Sequence, residues 1–133
     1  MIRLLTAALL AALMATPALS QTAPAEPAAD AVQGMPEAIQ PVGVRVTADA
    51  KKIFVALGPA NRVAVIDGES LEVTDYILVG QRVWQLGFTP DQKHLYTTNG
   101  NSNDVTVIDV ATNTAVKSIP VGQQPWGVVV APN

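Results

Sequence analysis

Residues 89–130, TPDQKHLYTTNGNSNDVTVIDVATNTAVKSIPVGQQPWGVVV, constrain the fold most, because the residues before them carry the same text. Subtracting 42 from each position pairs Thr89 with Thr47, Asp91 with Asp49, Lys93 with Lys51, Gly100 with Gly58 and Asn103 with Asn61. The register continues without a gap through Val105-Thr106-Val107-Ile108-Asp109 against Val63-Ala64-Val65-Ile66-Asp67. It then runs from Ile119, Val121, Gly122, Gln123 and Trp126 back to Ile77, Val79, Gly80, Gln81 and Trp84. A fixed period of this length means a repeated supersecondary unit, a solenoid or a propeller.

Within each period the apolar residues fall in short β-branched runs separated by turn chemistry. The second repeat predicts strands at Trp84–Phe88, His94–Thr98, Val105–Asp109 and Ala115–Val121. Thr89-Pro90-Asp91, Asn99-Gly100-Asn101 and Ala111-Thr112-Asn113 turn the chain between them. The first predicts strands at Val42–Val46, Lys52–Leu57, Val63–Asp67 and Val73–Val79. Four strands in about 40 residues make the blade of a propeller. The alternation inside them is imperfect, as expected of strands covered on both faces.

The remaining composition narrows the functional classes. With no cysteine and a single histidine, His94, neither disulfides nor a thiolate or histidine-rich metal site holds the fold. The net charge of −3 argues against a phosphate-binding surface, so no nucleic-acid partner is expected.

The 133-residue chain is expected to begin with an address. Arg3 supplies a positive start, residues 4–14 an apolar run, and Ala18-Leu19-Ser20 the small residues of a cleavage site. The run is shorter than the roughly 20 residues that span a bilayer. Residues 1–20 are therefore read as a secretory signal peptide, leaving no membrane span after cleavage and placing the protein in the periplasm. Residues 21–39 are rich in Ala, Pro and acid, and read as a linker with at most a short helix around residues 28–33. Residues 40–133 hold the repeats, with blade periods at 47–88 and 89–130.

The strings YTTNGNSNDVTVIDVATN and IPVGQQPWGVVV resemble the YVTN-type β-propeller repeat. They are most similar to periplasmic propeller proteins associated with catabolism dependent on pyrroloquinoline quinone. The resemblance covers about residues 40–133 and departs in the first copy, where Phe54-Val55-Ala56-Leu57 replaces Tyr96-Thr97-Thr98-Asn99. It implies an exported propeller and does not by itself imply an enzyme.

Such family members carry about seven blades, within the 4–8 of propellers generally, whereas this sequence offers two periods and an extra inner strand at Trp126–Val130. Gln40-Pro41-Val42-Gly43-Val44 aligns with Gln124-Pro125-Trp126-Gly127-Val128 at twice the period, so the array starts and ends on one strand type. The sequence reads as a genuine beginning joined to a genuine end, in an all-β partial propeller of two four-stranded antiparallel blades. Two periods leave an outward face at each end, with Val63, Val65, Val105 and Val107 expected among the uncovered side chains. The chain is then expected to fold poorly alone or to associate with its own copies.

Strand parity puts the loops at residues 58–61, 80–82, 100–103 and 122–124 on one face. There Gln81, Arg82, Trp84, Asn101, Asn103, Gln123, Gln124 and Trp126 form a candidate ligand or partner surface. A tryptophan at a fixed register more often serves packing between blades than ligand contact. Gly80 and Gly122 read as turn residues, and Asp67 and Asp109 as turn caps. No second acid or base accompanies either aspartate at a defined spacing.

The preferred reading is a non-catalytic binding or scaffold protein of the periplasm, whose partners would be a dehydrogenase or cytochrome of quinone-dependent alcohol oxidation. It needs no resident cofactor. Pyrroloquinoline quinone itself is the weaker ligand, since an anionic quinone wants several cations and this face offers chiefly Arg82. The alternatives are a nucleic-acid-binding propeller, a propeller enzyme of the lactonase or quinone oxidoreductase type, and a non-functional fragment of a longer propeller.

Overall fold

The computed structural model describes residues 39–132; the expected signal peptide, and the expected linker up to residue 38, lie outside the described residues. The chain forms eight strands in two antiparallel sheets. The first sheet holds β1 (Val44–Val46), β2 (Lys52–Ala56), β3 (Arg62–Asp67) and β4 (Val73–Leu78). The second holds β5 (Val83–Phe88), β6 (His94–Asn99), β7 (Asp104–Asp109) and β8 (Thr114–Pro120). Strand order follows chain order in each, so each is an up-and-down meander, and the fold is that of two β-propeller blades.

The repeat fixes the turns as well as the strands. In the first hairpin the Thr47 hydroxyl donates to Asp49 Oδ1 at 2.6 Å while the Lys51 amide donates to the same oxygen at 3.0 Å. Thr89, Asp91 and Lys93 repeat this at 2.7 and 3.1 Å. Asp67 accepts the amides of Glu69 and Ser70, and Asp109 the amide of Thr112 at 2.8 Å, so both cap turns as their position predicts. Each blade also bulges at the same place in its fourth strand, where Thr74 and Val116 are the extra residues opposite Val65-Ile66 and Val107-Ile108.

The core lies between the blades. Phe54, Ala56, Val63, Val65 and Ile77 of the first sheet face Val83, Leu86, Leu95 and Ile108 of the second, all nearly or fully buried. Phe54 meets Phe88 edge-on, with ring centroids 5.9 Å apart and planes at 82°. Alternate positions of β2 and β3, with Ile77 of β4, supply the first blade's share of this layer, whereas β1 and β8 contribute nothing to it.

Two expectations need correction. Val63 and Val65 are not uncovered, because they face the second blade and are 0% and 1% exposed. Their repeats, Val105 and Val107, are half-buried and buried; Val107 is flanked in its own sheet by Tyr96 and Lys117. The uncovered apolar side chains lie elsewhere, among them Val42, Val44, Val46, Leu78, Val116 and Val121. Second, residues 126–130 form no strand. An inner strand pairs only with the second strand of its own blade, and the described residues contain no such partner. The segment instead rests against the second blade, where the Thr98 hydroxyl donates to the Trp126 carbonyl at 3.2 Å.

Candidate functional site

The loops that enter β5 and join β6 to β7 are tied together by backbone bonds. The Gly100 amide donates to the Arg82 carbonyl at 3.0 Å and the Asn101 amide to the Gln81 carbonyl at 3.1 Å. Across the blade boundary, Asn61 Oδ1 accepts the Arg82 amide at 2.7 Å, and one period later Asn103 Oδ1 accepts the Gln124 amide at 2.9 Å. Both asparagines occupy the left-handed region, at φ 57° and 59°, which asparagine tolerates better than most residues. These repeated latches give the face its shape.

On that frame sits a polar cleft of about 430 Å³ lined by Gln81, Gly100, Asn101, Asn103, Gln123 and Gln124. It brings together five of the eight candidate residues. The other three form a stack beside it. The Arg82 guanidinium lies 5.0 Å from the Trp84 ring centroid, and Trp84 stacks on Trp126 with centroids 4.6 Å apart and planes at 11°. The Trp84 indole nitrogen also lies where a Cβ on Gly100 would have to go, so the glycine there admits the ring. Trp126 is 64% exposed, so the stack ends in open solvent. Packing and exposure are thus both present in the tryptophan pair, one ring covered and one free.

Asn103 has a role that its place in the candidate face did not suggest. Its side-chain oxygen is committed to the backbone latch, so only its amide nitrogen is left to face the cleft. Gly80 also differs from expectation. It does not occupy the left-handed region; a Cβ there would lie within 2.6 Å of Asn99 Nδ2, Ser102 Oγ and Asp104 Oδ1. Glycine is required for close approach, not for a turn.

Behind the face lies a polar network that the sequence reading missed. Asn99 donates to Thr106 Oγ1 at 2.9 Å and to Asp104 at 3.2 Å; Thr97 donates to Asn99 Oδ1 at 3.0 Å. Ser102 and Ser118 both donate to Asp104 through short bonds. Thr97 and Asn99 are fully buried, and every buried side-chain polar atom among the described residues finds a partner. Burial pushes the Asp104 carboxyl up, but the donors Ser102, Ser118 and Asn99 outweigh it and hold the group below its ordinary range. The signal was present in the departure of Thr97-Thr98-Asn99 from Val55-Ala56-Leu57, where polar residues replace apolar ones on a buried strand.

A wider groove of about 650 Å³ opens at the opposite end, between the Thr47–Lys52 hairpin and residues 92–94 and 109–111. Its polar groups are largely spent on structure. Lys52 Nζ donates to the Val110 carbonyl at 2.7 Å and to Asn113 Oδ1 at 2.9 Å, and Gln92 Oε1 accepts the Ala48 amide at 2.8 Å. His94, half-buried, lines this groove at the opposite end of β6 from the candidate face. Among the described residues no three His, Cys, Asp or Glu side chains converge as a metal site would require.

No family model matches this sequence, and no curated protein matches it. Among solved structures, the chain superposes on hydrazine synthase from Kuenenia stuttgartiensis with a TM-score of 0.62 at 26% identity, covering 70% of this chain and 27% of that one. It superposes on apo AztD from Citrobacter koseri with a TM-score of 0.57 at 18% identity, covering 66% and 25%. The chain thus spans about a quarter of the length of each. The likeness to these propeller-type proteins, together with two four-stranded meanders packed face to face, shows that the chain has a β-propeller fold, with two blades among the described residues.

Proposed function

We propose that the protein is a non-catalytic binding or scaffold propeller of the periplasm, which docks a partner on the face built by the loops at residues 80–82, 100–103 and 122–124. The observation that carries the reading is the convergence of four side-chain amides, of Gln81, Asn101, Gln123 and Gln124, on one cleft beside the exposed end of the Arg82–Trp84–Trp126 stack. Amides offer donors and acceptors without a titratable group, and an exposed indole offers apolar area with a polar edge. That mixture suits a protein surface better than bond-making chemistry. The resemblance to propellers of pyrroloquinoline quinone-dependent catabolism points to a periplasmic dehydrogenase or its cytochrome as the partner. Arg82 is the one cation of the cleft and its stack, which makes free quinone the poorer ligand.

Calorimetric titration of the chain with a quinone-dependent alcohol dehydrogenase, its c-type cytochrome, and pyrroloquinoline quinone tests this. Exchanging Arg82 and Gln123 together for alanine is expected to weaken binding of the dehydrogenase or cytochrome at least tenfold, about 1.4 kcal/mol, with the β-sheet spectrum unchanged. Equal affinity of the double variant, or no binding of either protein, contradicts the proposal.

A further inference from the structure

We propose that residues 126–130 are a donor strand: in a second copy of this chain they replace β1 beside β2, and copies so joined associate head to tail. Three observations lead there. The first is register. Gln124-Pro125-Trp126-Gly127-Val128 matches Gln40-Pro41-Val42-Gly43-Val44, the approach to β1, at twice the repeat period. In the first blade Val44, Arg45 and Val46 oppose Val55, Phe54 and Ile53. The same register sets Val128, Val129 and Val130 against Val55, Phe54 and Ile53 of the partner copy, with valine in all three positions.

The second observation is that the segment is placed as an inner strand yet pairs with no strand among the described residues. Val128 rests on Gly87 of β5, and the Trp126 carbonyl is held by Thr98, while no ladder bond forms along 126–130. Val129 is 95% exposed. The strand it would displace, β1, is three residues long with exposed side chains, and the bonds that precede it, from the Val42 amide to the Ala56 carbonyl and from the Ala56 amide to the Gly43 carbonyl, are ones that Trp126 and Gly127 would replace in the same register. Strand addition of this kind supplies main-chain bonds from an unpaired segment to a receptive sheet.

The third is the surface that the exchange covers. Tyr96, Val105, Val107 and Ile119 repeat Phe54, Val63, Val65 and Ile77, which bury the first blade against the second. The opposite surface of the first blade carries Val44, Ile53 and Ile66, repeats of Leu86, Leu95 and Ile108, which form the other half of that core. Each open face is therefore one half of an interface that the chain already makes within itself. Gly122 and Gly127 have nothing within 4 Å of a Cβ, whereas their repeats Gly80 and Gly43 are tightly packed. A donated strand puts the next copy's first blade on the outward face of the second, where Tyr96, Val105 and Ile119 are half-buried, in the spacing that the internal pair already uses. The contact is heterologous, so it closes as a ring when the rotation permits; three or four copies supply six or eight blades, within the roughly 4–8 of closed propellers.

The natural chain has no cysteine, which makes a pairing test clean. Two variants, Val128→Cys and Val55→Cys, are produced separately in the form that the host's processing leaves, then mixed and oxidised. A covalent heterodimer is expected, in at least tenfold greater yield than from Val55→Cys mixed with Val116→Cys, an exposed position on β8. Light scattering of the wild type is expected to give a mass of several chains that falls on dilution, and Val128→Asp is expected to leave monomer with an intact β-sheet spectrum. A wild-type monomer at every concentration, or no excess of the Val128–Val55 product over the control, overturns the proposal. Neither result touches the binding test at Arg82 and Gln123.

Discussion

At the scale of single residues, glycine and aspartate carry the tightest constraints. Gly80 lies against Asn99, Ser102 and Asp104, so Gly80→Ala must displace polar atoms of the next blade. The expected cost is about 1–3 kcal/mol, read as a lower urea midpoint with an unchanged slope. Asp104 gives a pH signature. Its folded pKa lies below the ordinary value of 3.8, so its contribution to stability is complete above that value and is lost as pH falls through the lower folded one. Asp49, Asp67, Asp91 and Asp109 are shifted in the same direction by the hydroxyls and amides of their turns. Urea midpoints are expected to fall below about pH 4, and to fall less steeply in Asp104→Asn than in the wild type. The turn aspartates were legible because Thr-Pro-Asp and Asp with a hydroxyl three residues on are local chemistry. The Asp104 network was not, since Thr97, Thr106 and Ser118 come from three strands and meet only through sheet register.

At the scale of elements, repetition told where strands lie but not which of them would be paired. The predicted and observed strands agree to within two residues because Thr47, Asp67 and their repeats mark the turns. Residues 126–130 carry strand composition, yet composition cannot supply the neighbour that a ladder requires. The blade-to-blade latches were hidden for a related reason. Asn61 and Asn103 looked like surface amides, while the fold uses their oxygens to hold backbone amides, that of Arg82 at the entry to the second blade and that of Gln124 after β8. Asn61→Ala leaves the Arg82 amide without its partner and loses a residue suited to positive φ, so a destabilisation of about 1–2 kcal/mol is expected in denaturant unfolding. Phe54→Ala, which empties the centre of the inter-blade core, is expected to cost about 3–5 kcal/mol and to unfold much of the population at room temperature.

At the scale of the whole molecule, two blades act as a platform with unlike ends. One end gathers Gln81, Asn101, Gln123 and Gln124 around a cleft, and the other spends Lys52 and Gln92 on joining the blades. The clustering of the first end was readable from strand parity alone, because alternate loops of a meander must emerge on the same side. The stacking of Arg82, Trp84 and Trp126 was not, since the repeat places the rings one blade apart without giving their tilt. Hydrogen–deuterium exchange of the chain, with and without a quinone-dependent alcohol dehydrogenase and its cytochrome, asks which end is the working surface. The account predicts slowed exchange in residues 80–82, 100–103 and 122–124 on adding one of these proteins, with the hairpins at 47–52 and 89–94 unchanged. Protection of those hairpins instead, or no protection anywhere, would contradict it.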